Sequence, residues 1–230
     1  KQAPPKKPLV IRRRTYSELP PDAQQTLIAR HRAIARGYRA TNPEAKDIIN
    51  DRFADSIIHD APGTIVFLDH TDFRTAYALL ERGISPERML IPQYDRACYE
   101  EMSKHELFGG CVRYGEFNGI LRESLQLQDA RLNAVYADFC GTVSSCAKPL
   151  LELLEANKEK IHTGAAIGIT VTLRDPAGVD CPGQGACWME KRLEQIFPRH
   201  VNVFHPDQGA GYMPYGEGAP MATWLIKWGA

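Results

Sequence analysis

No part of this chain is apolar for long: the longest such run, Ala165–Leu173, is far too short to span a bilayer. Net charge is equally scarce. The 28 lysines and arginines balance 28 aspartates and glutamates, so the formal charge of +0 points to no class of partner. A glycine-rich phosphate loop with its lysine is missing, as is the Gly-x-Ser-x-Gly turn of serine hydrolases. The opening residues, KQAPPKKPLVIRRR, are basic and proline-rich without an apolar centre, so they do not read as a secretory signal. Internal repeats and long low-complexity tracts are absent. So are the tight cysteine pairs of structural zinc sites: the 6 cysteines include only two C-x5-C spacings, Cys140/Cys146 and Cys181/Cys187. At 230 residues and 43% hydrophobic, the chain can bury a core without disulfides. The expectation is free thiols in a reducing, intracellular compartment, with metal binding at the cysteines as the alternative and no metal ligand assigned.

What is present is organised around Leu132–Val143, LNAVYADFCGTV. It starts as an apolar, β-rich run and ends in Asp138-Phe139-Cys140-Gly141-Thr142. An acid at the carboxyl end of a strand, followed by a turn of small residues, is where open α/β sheets place their chemistry. An Asp there also serves simply to cap the next helix. Two other strand-like runs end in acids: Ile65–Asp69 and Met89–Asp95.

Lys1–Arg14 forms a basic arm that reads either as a solvated terminus or as a phosphate-contacting segment. Pro21–Arg39 reads as a helix, with Leu27, His31, Ile34 and Tyr38 at helical spacing and Arg32, Arg36 and Arg39 on another face. A second helix starts at Asn42-Pro43-Glu44, carries Ile49, Phe53 and Ile57, and ends before Pro62-Gly63. His31 and His59 read as packing or surface groups. From Gly63 strands and helices alternate. Strands are expected over Thr64–Asp69, Arg88–Pro92, Cys111–Tyr114, Leu132–Ala137, Ala166–Leu173, Val201–Phe204 and Met221–Trp228. Helices are expected over Phe73–Glu81, after Pro92 through Tyr99 and Met102, and over Lys148–Ile161 and Trp188–Phe197. Alternation predicts a mainly parallel sheet covered on both faces. The last two strands, joined by the glycine-rich Gln208–Gly218 with no helix between them, are expected to pair antiparallel. Residues 1–62 are thus read as a basic arm and helical extension, and 63–230 as one α/β domain.

Seven strands closing in an antiparallel pair resemble the class I S-adenosylmethionine-dependent methyltransferases, a Rossmann-like fold. The resemblance covers the chain from Gly63 onward. It implies S-adenosylmethionine as cofactor, with Asp69, His70 and Thr71 after the first strand and Gln93, Tyr94 and Asp95 where the family often holds the ribose hydroxyls. It further implies Gly115, Glu116 and Phe117 as the turn along the adenine. Asp138 and Phe139 would then meet the methyl donor and the acceptor. One departure is plain. The family's first motif is typically acid-x-Gly-x-Gly-x-Gly, whereas Asp69-His70-Thr71-Asp72-Phe73-Arg74-Thr75 contains no glycine. The same absence counts against a dinucleotide-binding fingerprint.

Methyl transfer from a sulfonium is an in-line displacement needing alignment and exclusion of water. Asp138 is the candidate to accept a hydrogen bond from an attacking amine or hydroxyl. Phe139 stacks on a planar group or packs in the core. Tyr212 and Tyr215 are candidates to line an acceptor pocket. The basic arm and the Arg32/Arg36/Arg39 face suggest a nucleic-acid partner, RNA in preference to DNA. Two alternatives stand beside this reading. One is a catalytically inactive methyltransferase-like binding or assembly subunit, which the missing glycines favour. The other is a haloacid-dehalogenase-like phosphatase, whose Asp-x-Asp-Gly-Thr-Val loop Asp138–Val143 resembles, except that Cys140 replaces the second Asp.

Overall fold

The computed structural model describes residues 20–22, 25, 43–127, 131–172, 182–204, 212–215 and 221–229. The arm Lys1–Arg14, nearly all of the helix expected over Pro21–Arg39 with its three arginines, Cys181, and the side chains of Tyr212 and Tyr215 lie outside the described residues.

In chain order the elements are α1 (Pro43–Ser56), β1 (Thr64–Phe67), α2 (Arg74–Glu81), β2 (Met89–Gln93), α3 (Arg96–Met102), β3 (Val112–Tyr114), α4 (Phe117–Gln126), β4 (Leu132–Thr142), α5 (Lys148–Ala156), β5 (Ile161–Thr172), α6 (Pro182–Ile196), β6 (Val201–Asn202), β7 (Tyr212–Tyr215) and β8 (Met221–Lys227). The sheet runs β3-β2-β1-β4-β5-β8-β6, with β7 also on β8. Strands β1 to β5 are parallel, and β8 pairs antiparallel with β5, β6 and β7. The expected Rossmann-like sheet and its closing pair are therefore observed. Val201 lies opposite Lys227 and Asn202 opposite Ile226.

The sheet's two faces follow from a period of two in β4. Ala134 and Tyr136 face a core with Ile49, Phe53, Phe67, Leu79 and Phe108. Val135 and Ala137 face a second core with Leu121, Leu150, Leu154, Met189 and Trp224. The stripe Ile49, Phe53 and Ile57 of α1 belongs to the first, where the Phe53 ring lies 5.1 Å from that of Tyr136. Tyr136 in turn needs Gly168 opposite it on β5, where an added Cβ would stand 2.7 Å from the tyrosine ring.

Several elements differ from expectation, among them β5, which starts at Ile161, α6, which starts at Pro182, and β1 and β6, which stop at Phe67 and Asn202. Helix α4 was not read, although Phe117, Leu121 and Leu125 recur every four residues and are all buried. Strand β4 continues past Ala137 to Thr142. The helix expected to reach Ile161 stops at Ala156, because Asn157 leaves the helical region (φ −125°, ψ 27°) and Ile161 is drawn into the ladder beside Leu132. An eighth strand, β7, lies within the glycine-rich connection and lengthens the antiparallel edge along β8.

Candidate active site

After β1 the chain builds β2 and β3 on one side, then returns to place β4 on the other side of β1. The gap between the carboxyl ends of β1 and β4 is thus a topological switch point, where ligands bind in open α/β sheets. A cavity of about 510 Å³ opens there, within the usual range for small-ligand sites. Asp69 and His70 enter it from β1, Gln93 and Tyr94 from β2, and Asp138 and Phe139 from β4. Thr71, Asp95 and Gly115–Phe117 stand outside its wall. Thr71 bonds the His70 ring at 3.0 Å. Phe117 packs edge-to-face on Phe139, ring centres 5.5 Å apart. Glu116 is exposed at the start of α4.

Asp138 stays in register opposite Thr170, and the period of two puts it on the face of β4 shared by Ala134 and Tyr136, toward α1. The ladder with β5 slips between Asp138 and Thr142, so Phe139, Cys140 and Gly141 swing out of register. Gly141 lies just beyond, where a Cβ would stand 2.2 Å from the Cys146 sulfur and make that side chain turn away. Thr142 and Ser145 close a reciprocal cap that starts the following helical turn.

The loop after β1 is built without glycine. One Asp69 carboxylate oxygen accepts the His70 N–H at 3.1 Å, and the other accepts the Ala76 N–H at 2.9 Å. Asp69 therefore caps α2 in place of Phe73, which has no side chain for the task. Phe73 itself takes the left-handed conformation (φ 51°, ψ 38°), a turn usually left to glycine. Left-handed backbone costs a β-carbon-bearing residue about 1–2 kcal/mol. The ring offsets this by full burial against His105 (4.5 Å) and Phe108 (5.2 Å), worth about 1.5–3 kcal/mol. Asp72 and Arg74, their side chains 12% and 13% exposed, form a 2.7 Å ion pair that braces the loop.

Burial pushes the Asp69 carboxyl up to about 8, against the pull of its two N–H donors and with added repulsion from Asp72 and Asp138. Asp95 moves the other way. Its carboxylate accepts the Cys98 N–H at 2.8 Å as the cap of α3, and that bond depresses its pKa.

Reading strand ends missed the wall supplied by α1 and α2: Lys46, Asn50, Arg74 and Thr75 line the cavity, as do Asp72 and Cys140. Lys46 reaches across to Asp138, Nζ to Oδ2 at 2.8 Å. Thr75 donates to Asn50 at 3.2 Å between the two helices. The available signal was the i, i+4 pair Lys46 and Asn50, flanking the buried stripe of α1. A parallel row, Asp47, Asp51 and Asp55, meets Arg74 and Arg82 of α2 at 2.7–3.0 Å and seats one helix on the other. The five described cysteines, Cys98, Cys111, Cys140, Cys146 and Cys187, are all free thiols.

No protein-family model matches the chain, and no curated protein matches it. Solved structures do. An O-methyltransferase from Bacillus cereus, in complex with SAH, superposes with a TM-score of 0.55 at 12% identity, over 92% of this chain and 93% of that one. The B. subtilis tRNA methyltransferase TrmK (TM-score 0.46, 11% identity) matches 79% of this chain, which spans 65% of TrmK. An rRNA methylase from Streptococcus thermophilus (TM-score 0.46, 13% identity) matches 79% of this chain and 94% of its own. With the strand order, the first likeness establishes that the fold is that of the class I S-adenosylmethionine-dependent methyltransferases. The phosphatase resemblance finds no support among these structures. Among the described residues, no helix is long and apolar enough to cross a membrane.

Proposed function

We propose that the chain is an S-adenosylmethionine-dependent methyltransferase acting on nucleic acid, RNA in preference to DNA. One observation carries the transfer reading: Asp69, just past β1, and Asp138, where the β4 ladder begins to slip, open into a single cavity at the switch point of a methyltransferase-type sheet. The residues suit a ligand that is polar at one end and flat and aromatic at the other. Asp69, whose carboxyl keeps its proton at neutral pH, and Asn50 offer hydrogen bonds to the amino-acid end, and Tyr94 and Phe139 offer ring faces for the purine. Bound there, S-adenosylmethionine supplies an electrophilic methyl group. The chain's part is to orient the acceptor at Asp138, which takes a hydrogen bond from the attacking group, and to keep water out around the buried base of the site.

The nucleic-acid acceptor rests on the sequence: Lys6, Lys7, Arg12, Arg13, Arg14, Arg32, Arg36 and Arg39 crowd the first 39 positions of a chain whose whole is neutral. The glycine-free first loop favours a second reading, a methyltransferase-like module that binds without transferring.

Calorimetry with S-adenosylmethionine and S-adenosylhomocysteine, beside magnesium and a phosphate analogue as controls, is the direct test. Binding of the first two alone is the expected result, and binding of neither removes the transfer reading. Binding without turnover on a mixed RNA pool selects the inactive module. RNA affinity measured against salt, with and without residues 1–14, tests the acceptor. Equal salt slopes for the two proteins would leave the arm a solvated tail.

A further inference from the structure

Lys46 and Asp138 come from elements 92 positions apart and meet inside the cavity at 2.8 Å. Their side chains are 34% and 21% exposed, so the pair is partly withdrawn from water. Burial alone would lower the lysine's pKa. The charge and hydrogen bond of Asp138, with Cys140 and Asp72 behind them, outweigh burial and raise it. The other titratable groups on the wall are Asp69 from the β1 loop, its carboxyl protonated by burial, and Arg74 from α2, with His70 at the rim.

We propose that this pair selects an oxygen acceptor: a hydroxyl that must lose its proton to become a nucleophile, in preference to an amine. The proposal deepens the methyl-transfer reading and rests on it. The argument is one of charge. A neutral hydroxyl is a weak nucleophile, and its attack is aided by an anion to receive the proton and a cation to hold the negative charge growing on oxygen. Asp138 and Lys46 supply both from opposite walls. In the step, the O–H proton passes to the Asp138 carboxylate while an oxygen lone pair forms the O–CH₃ bond. The S–CH₃ bond breaks with its electrons kept on sulfur, so a sulfonium becomes a thioether and no further reactant is needed. An amine already carries its attacking lone pair, and positive charge grows on nitrogen as the bond forms. The Lys46 ammonium opposes that charge. Asp138, already paired with the lysine, attracts it less than a lone carboxylate would.

Two probes of one shape test this, 4-nitrophenol and 4-nitroaniline, each titrated into the full chain loaded with S-adenosylhomocysteine. Bound 4-nitrophenol is expected to ionise at least one pH unit below its value in water, read from the phenolate absorbance. Lys46→Met should abolish the shift and Lys46→Arg should keep part of it, with thermal melts confirming that both variants are folded. Nitroaniline should bind at least tenfold more weakly. If S-adenosylhomocysteine itself does not bind, the methyl-transfer reading fails and takes this proposal with it. If it binds but the phenol shows no Lys46-dependent ionisation, whether through failing to bind or failing to ionise, the oxygen assignment is overturned. The same holds if nitroaniline binds equally well, and in either case methyl transfer stands.

Discussion

Asp69 and Asp95 each follow a strand end, on adjacent strands of one sheet, and each accepts a backbone N–H from the helix that comes next. Beyond that they part. Asp95 lies open to solvent just past β2, and the next residue, Arg96, lies over the exposed ring of Tyr114 at 5.2 Å. Its carboxyl is held below the usual range by its helix-start donors, chiefly the Cys98 N–H. Asp69 lies at the sheet's centre, where α1 brings Lys46 and Asn50 over the strand ends and β4 brings Asp138 alongside. Its carboxyl is pushed up to about 8 by burial. The same sequence signal thus yields a surface cap in one place and a cavity group in the other. The deciding factor is whether a third element covers the strand end.

That contrast breaks most visibly at the cavity side. Asp138→Asn should lower methyl transfer by about 100- to 10,000-fold, the usual worth of a positioned acid or base. S-adenosylhomocysteine affinity by calorimetry should change little. A near-normal rate in the folded variant would move the acceptor-orienting role away from β4.

The pinned loop under Asp69 comes next. Phe73→Ala should destabilise the protein by about 3–5 kcal/mol in urea unfolding, as buried phenylalanine truncations do. Phe73→Gly should be the more stable of the two, because glycine adopts the left-handed turn without strain. Alanine equal to or better than glycine would show that the turn relaxes once the ring is gone.

Asp69→Asn sharpens the comparison through pH. A carboxyl whose folded pKa is raised from 3.8 to about 8 keeps its proton in the folded chain while the unfolded chain has released it. The native protein therefore loses stability as pH rises from about 4 to 8. The asparagine variant escapes that loss, so its thermal midpoint relative to the parent should climb across this window and level off below it. A flat difference would mean that Asp69 ionises normally.

The smallest effect is expected at the open site. Asp95→Ala should cost about 0.5–2 kcal/mol of stability, the value of a helix cap. Affinity for S-adenosylhomocysteine, measured on the same variant, decides whether Asp95 also holds the ribose. A fall of about 1–3 kcal/mol would place the sugar on it. Unchanged affinity would leave Asp95 a cap alone.

Seven strands and the antiparallel closing pair were legible in the chain because a strand half-covered by helices writes apolar runs bounded by turns, and β6 and β8 had no helix between them. Asp69 and Asp138 were legible for the same reason: each marks where an apolar run stops, although β4 itself continues to Thr142. Helix α4 was legible in Phe117, Leu121 and Leu125 but went unread behind the short β3. Only its i, i+4 spacing with Asn50 marked Lys46, and nothing local marked Arg74 as a cavity residue. Both sit on helices whose charged rows look like ordinary solvated faces, and only the docking of α1 on α2 turns them inward. Nor could the run Asp69–Phe73 show how it dispenses with glycine. That depends on Ala76 presenting its N–H to Asp69 and on His105 and Phe108 receiving the Phe73 ring, contacts made by residues up to 35 positions further on. Periodicity along the chain is a local property, so the sequence by itself determined the elements and their order. Burial, charge pairing and the shifted acidity of Asp69 arise between elements, and the tertiary structure alone decided them.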